Sequence, residues 1–309
     1  MINLWPKRLR SLLLAAGIAA TAIPVAGGAA SAGGAVSEAP QRIVSVGGDV
    51  TEIIFALGLG ERIVALDTTS QFPPDQVKTK ASVGYMRALS TEGVLSVAPT
   101  LIIASGDAGP PEVVAALKGS TVPFVEIKGD DTADGTAHKI TTVAEALGAA
   151  AEAEKLVSRV KGEFAAAAAM RAKIEKPVRA LFILSQQEGR TMVAGTNTAA
   201  DAIFSLAGAV NAVTGFDGYK PLSDEAAITA APDVIVTMRR DGAEAGKLAN
   251  EISGTRGLGS TPAAKAGRII EVDGSYTLQF GPRAGSAVLD LMHRFYPDLA
   301  EGSEEAGAK

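Results

Sequence analysis

The sequence predicts an α/β fold of two Rossmann-like lobes with mostly parallel sheets, joined by one long helix. Three observations carry this. A segment recurs at an offset of 133 residues, β-branched runs alternate with helical stretches, and an Ala-, Glu- and Lys-rich run separates the two copies.

The elements follow in chain order. Lys7, Arg8 and Arg10 precede an apolar run from Leu12 to Ala26, and small residues follow at Ala30-Ser31-Ala32. This is the layout of a secretory signal peptide over 1–32, cleaved near Ala32, and the run is too short for a membrane anchor. A flexible stretch is expected at 33–40. The N-terminal lobe, 41–137, opens with a strand at Arg42–Val46, then Gly47-Gly48 and a helix from about Thr51. Further on, Leu89-Ser90-Thr91-Glu92 starts a helix, with Ser90 as N-cap and an acid in the first turn. Pro99 ends it, and Leu101-Ile102-Ile103 reads as a buried parallel strand.

His138 to Lys176 forms a linking helical region. Gly148 breaks a short first helix, and one helix of about 26 residues is expected from Ala149 to Ile174, before Pro177. Such a connection is a stiff hinge, unlike a Gly/Ser linker. The C-terminal lobe, 177–299, repeats the first. A strand at Arg179–Leu184 precedes a helix from about Thr198. Leu222-Ser223-Asp224-Glu225 then leads through Ala231-Pro232 to a strand at Val234–Val236. Each copy carries Gly-Tyr shortly upstream, Gly84-Tyr85 and Gly218-Tyr219. The Glu-rich tail, 300–309, is expected to be disordered.

Charge and composition narrow the function. The chain has no cysteine, so neither a disulfide framework nor a lipid anchor on cysteine is available. An exported protein without an anchor is best retained in the periplasm of a Gram-negative bacterium. Loss of 1–32 removes three basic residues and no acidic one, moving the formal charge from −5 to −8. An acidic chain without a basic stripe argues against nucleic acid as partner. Gly58-Leu59-Gly60 and Gly257-Leu258-Gly259 are too short for phosphate fingerprints, and no nucleophile elbow or acid–base pair stands out. The protein is therefore not expected to be an enzyme. Two separated histidines and no cysteine offer no zinc or manganese site.

This arrangement resembles the substrate-binding proteins of ABC importers for vitamin B12, siderophores and haem, over the whole mature chain. Within that group, the run Val83 to Ser96 with its Gly84-Tyr85-Met86-Arg87 looks like the haem-binding branch, as does Phe280-Gly281-Pro282-Arg283. The chemistry of the first motif is consistent with this. Tyr phenolate is a hard anionic ligand that suits ferric haem iron, and an Arg two residues on can donate to the phenolate or pair with a propionate.

The resemblance implies a protein that binds ferric haem b between its lobes and delivers it to an inner-membrane ABC permease with its ATPase. Tyr85 would be the iron ligand. Arg87, Met86, Tyr219, Tyr276 and Arg283 would line the haem pocket, and Glu92 and Glu225 would dock on the permease. Some relatives place a His just after the first strand of the second lobe and hold two stacked haems. The matching stretch here, Ser185-Gln186-Gln187-Glu188, has none, so one haem is expected on a monomer. His138 and His293 are expected to be surface or packing residues. The alternative within this class is a ferric-siderophore or cobalamin binder.

Overall fold

Strand β1 (Ile43–Val46) is buried along its whole length and sits at the centre of the first sheet. The computed structural model describes residues 42–187, 190–239 and 247–299, so the expected leader, the 33–40 stretch and the tail lie outside the described residues. Helix α1 (Gly48–Ala56) follows β1 directly. It begins three residues before the expected Thr51, because Gly47 takes φ 106° and turns the chain at once. Next come β2 (Ile63–Leu66), α2 (Pro74–Val77), β3 (Ala81–Ser82), α3 (Thr91–Leu95), β4 (Leu101–Ser105), α4 (Pro111–Lys118) and β5 (Phe124–Ile127). The five strands lie in the order β3-β2-β1-β4-β5, all parallel.

Two helices lead out of this lobe. Helix α5 (Ala133–Leu147) starts upstream of His138 because the Thr132 hydroxyl accepts from the Gly135 amide at 2.9 Å and caps it. Gly148 ends it in the left-handed region, as its position suggested. Helix α6 (Ala150–Arg171) has 22 residues, not 26. The chain turns at Ala172, so that Ile174 folds against Gly208 of the second lobe, where an added Cβ would meet it at 2.3 Å.

The second lobe contains β6 (Arg179–Gln187), β7 (Arg190–Ala194), α7 (Ala199–Leu206), β8 (Val210–Asn211), β9 (Tyr219–Leu222), α8 (Asp224–Ala230) and β10 (Val234–Met238). Then follow α9 (Lys247–Ser253), α10 (Pro262–Lys265), β11 (Ile269–Val272), α11 (Gly274–Leu278) and α12 (Ala284–Phe295). Its sheet runs β11-β10-β6-β7-β9, with β8 also on β6. The pairs β10–β11, β10–β6 and β6–β8 are parallel, while β6–β7 and β7–β9 are antiparallel. The expectation of mostly parallel strands thus holds fully for the first sheet, and the second is mixed. The reason is length. At nine residues β6 outruns the two-residue β8, so β7 folds back to pair its remaining edge.

The repeat is visible in local geometry. Ser90 and Ser223 accept from the Gly93 and Ala226 amides and cap α3 and α8. Ala98 and Ala231, each before a proline, share left-handed φ values of 47° and 41°. Gly84 and Gly218, ahead of the two tyrosines, take φ 90° and 76°.

Three apolar clusters form the core. One covers the outer face of each sheet, and the largest runs continuously from α1 through α5 and α6 into β6, α7 and α12. Along α6, Ala153, Leu156, Val160, Phe164 and Ala167 are buried at three- and four-residue spacing, one face of a helix. The link is therefore packed on both lobes rather than spanning free between them.

Candidate functional site

In open parallel sheets, ligands sit beyond the carboxyl ends of the strands. Here the loops at those ends face one another and enclose a cavity of about 470 Å³. Thr68, Thr69, Gln71 and Tyr85 of the first lobe line it, opposite Arg239, Asp273, Ser275 and Gln279 of the second.

The first wall is held by a buried polar network. The Asp67 carboxylate accepts from the Gly47 amide (2.8 Å), the Thr69 amide (2.8 Å), the Thr69 hydroxyl (2.6 Å) and the Ser70 hydroxyl (2.9 Å). Ser70 continues through Thr51 to Ser45, each step 2.6 Å. A fully buried carboxylate is tolerated because hydrogen bonds replace its water. The consequence is a wall loop of fixed shape.

Tyr85 stands on this wall with 44% of its surface exposed. Its hydroxyl oxygen accepts from Arg87 Nη1 at 3.2 Å, and Arg87 Nη2 reaches Asp107 at 3.3 Å. The hydrogen bond to Tyr85 holds the Arg87 guanidinium above its ordinary value, despite partial burial, with Asp107 adding to it. A cation is thus placed where the phenolate charge would form.

Tyr219 is half-buried at the start of β9, with its oxygen near the Thr198 hydroxyl and the Ala200 amide at the N-terminus of α7. Burial pushes its hydroxyl above the usual range; these two donors and Arg87 oppose that rise, while Asp131 adds to it. Arg87 and Asp131 belong to the first lobe, so charges of both lobes act on the Tyr219 hydroxyl.

Three residues expected in a pocket are placed otherwise. Met86 is 8% exposed and packs among Val83, Leu89 and Val94 in the core, with its sulfur 3.6 Å from the Thr69 hydroxyl. Tyr276 donates to Asp290 at 2.7 Å, and burial together with that carboxylate pushes its hydroxyl up. Arg283 pairs with the first lobe: Nε and Nη2 donate to the two Glu52 oxygens at 2.9 and 2.8 Å. Its guanidinium lies between the rings of Phe72, at 3.7 Å, and Tyr276, at 4.9 Å. The Phe280–Arg283 run is thus a strap between the lobes. Gln279 extends it: its side-chain amide donates to the Thr69 carbonyl at 3.1 Å, and its own carbonyl accepts from Lys139. Lys139 also pairs with Asp49 at 2.9 Å, both side chains buried.

Sequence reasoning missed Asp67, Asp107, Lys139 and the strap. One signal was available. Asp49 and Glu52 sit in a mostly apolar helix, α1, whose residues from Gly48 to Ile54 are all buried, and two acids there require cations from elsewhere.

Glu92 and Glu225 lie exposed in the first turns of α3 and α8, and neither carboxylate is paired among the described residues. His138 and His293 are exposed. The stretch Ser185–Gln187 is the carboxyl half of β6, and Glu188 lies outside the described residues. No group of three or more metal-ligating side chains occurs among the described residues, and no described helix is long and apolar enough to cross a membrane.

Asp131, between β5 and α5, supplies a test of the site's electrostatics. Burial raises its carboxyl above the ordinary 3.8; Lys139 opposes this, while Asp107, Asp49 and Asp130 reinforce it. A raised carboxyl stabilises the fold below its unfolded pKa, and that contribution is lost as pH rises through the folded value. Asp131→Asn is therefore expected to raise Tm near neutral pH. In scanning calorimetry the gain should vanish below pH 3.8; an equal gain at every pH would contradict a strained charge.

Comparison with known proteins places the architecture. Residues 43–276 match the periplasmic binding protein family. The apo structure of the periplasmic haem-binding protein RhuT from Roseiflexus sp. RS-1 is similar, at 40% identity and TM-score 0.79, covering 84% of this chain and 99% of that one. So is the periplasmic haem-binding protein BhuT in complex with two haems, at 40% identity and TM-score 0.78, covering 84% and 98%. An uncharacterised ABC transporter substrate-binding lipoprotein of Bacillus subtilis is 27% identical over 266 residues, 85% of this chain and 82% of the relative.

Proposed function

Because the chain belongs to the periplasmic binding protein family, a family of transport proteins rather than enzymes, we propose that it binds ferric haem between its lobes and delivers it to an inner-membrane ABC permease. The observation that carries this reading is the exposed Tyr85 phenol on the cleft wall with Arg87 on its oxygen. The similarity to haem-binding periplasmic proteins at 40% identity supports the choice of ligand.

In this reading, Tyr85 would hold the haem through its phenol oxygen, and the haem would supply a ferric iron suited to that hard donor. Tyr85 would release its proton to solvent on binding, and Arg87 would balance the phenolate charge while Asp107 orients the guanidinium. Tyr219 covers the ligand from the second lobe. The walls around Thr69 and Gln279 exclude water from the iron's surroundings. We assign one haem per monomer, since the Ser185–Glu188 stretch offers no histidine as a second ligand. BhuT holds two haems, so this assignment separates the two chains. The signal-peptide layout of 1–32 supports export to the periplasm.

Titration of the purified protein with haemin tests the proposal. A Soret band with the charge-transfer features of high-spin ferric tyrosinate, saturating at one equivalent, is the expected result. Saturation at two equivalents would refute the single site. Tighter binding of cobalamin or a ferric siderophore in the same assay would overturn the ligand. Arg87→Ala is expected to keep the tyrosinate spectrum and weaken binding about tenfold or more, the usual cost of a lost partner beside a metal ligand. Unchanged affinity would remove Arg87 from the site.

A further inference from the structure

The repeat that pairs Glu92 with Glu225 also pairs their neighbours, and those neighbours are not equal. Helices α3 and α8 each precede a parallel strand, β4 and β10, so each begins at the carboxyl edge of its sheet, beside the mouth of the cleft. Residues three apart on a helix share a face. Next to Glu92 on that face is Leu95, partly covered. Next to Glu225 is Ile228, 49% exposed and the most exposed of the large hydrophobic side chains among the described residues. The residues between them, Val94 and Ala227, are buried and fix both faces outward. A second carboxylate, Asp224, precedes Glu225, where the first copy has the neutral Thr91, and it too is exposed and unpaired among the described residues.

We infer that the permease grips the two lobes unequally: the Asp224–Glu225–Ile228 patch of α8 is the principal anchor, and Glu92–Leu95 of α3 is the secondary one. The partner surface that fits presents cationic side chains at each half, and on the half that receives α8 an apolar recess for one branched side chain. A recess filled by Ile228 contributes affinity that salt does not screen, while the carboxylates contribute rate and salt dependence. This inference rests on the permease reading above.

The test is binding of haem-loaded chain to the permease complex of the same bacterium in nanodiscs, followed by surface plasmon resonance over a salt series. Ile228→Ser is expected to weaken docking about tenfold or more, and Leu95→Ser about threefold or less. Asp224→Asn with Glu225→Gln should flatten the salt dependence more than Glu92→Gln. None of these variants should change haem affinity, since none lines the cavity; Leu95→Ser alone should lower Tm noticeably, because Leu95 packs against the core, so its docking is compared at equal folded concentration. Equal losses at the two helices, a larger loss at Leu95, or no loss at either would overturn the unequal grip. A wild-type chain that does not bind the permease would overturn the permease reading itself.

Discussion

Tyr85→Phe is expected to abolish the ferric tyrosinate spectrum and to weaken haem binding by at least about a hundredfold. Losing a residue that only supports a metal ligand costs about 10–100-fold, and Tyr85 is here proposed as the ligand itself. The substitution leaves the ring in place, so packing changes little at a side chain already 44% exposed. Fold and Tm should be unaffected, which separates ligand loss from unfolding. Absorption titration and haem transfer to apomyoglobin give the two readouts. A retained tyrosinate spectrum would move the iron to another residue, with Tyr219 the first to examine, because it is the repeat-related tyrosine of the second lobe.

Arg283→Ala is expected to lower stability by about 3 kcal/mol, measured by urea unfolding. Breaking a buried ion pair from one side costs about 3–5 kcal/mol, because the other charge is left unpaired. Glu52 is 5% exposed and loses both of its donors. The Arg283 side chain, 25% exposed, places the effect at the lower end. Removing both members, as Glu52→Gln with Arg283→Met, should cost less than the single change. Haem affinity should fall as well, since Phe72 stacks on the guanidinium and follows directly on the wall residues Thr69 and Gln71. A loss of affinity without any loss of stability would return Arg283 to the ligand pocket.

The comparison of sequence with structure divides along a physical line. Local features were legible. Ser90 and Ser223 cap their helices, Gly148 stops α5, and the β-branched runs form buried parallel strands, because each depends on a few adjacent residues. The two Gly-Tyr turns were legible for the same reason. What escaped depends on partners far apart in the chain. Arg283 meets Glu52 across 231 positions, and Gln279 meets Thr69 across 210. A motif near the C-terminus therefore read as a ligand-contacting run, while the fold uses it to join the lobes. Met86 turns inward among core residues while its neighbour Tyr85 lines the cavity, a difference that adjacency in the sequence does not show. The β6–β7 hairpin escaped because the segment reads equally well as a single strand and a loop.

The strap has a further consequence for unloading. Glu52–Arg283, Lys139–Gln279 and Gln279–Thr69 all cross between lobes that share one continuous core. A cup built this way gains little from opening on its own, because every degree of spread stretches charged contacts and exposes buried carbon. Thermal motion alone then supplies few open cups from which cargo could leave. The work of prising the walls apart then falls to a partner that seizes the rim from outside. In such a scheme the carrier can hold its cargo tightly in transit without being slow to hand it over, since retention and release are governed by different molecules.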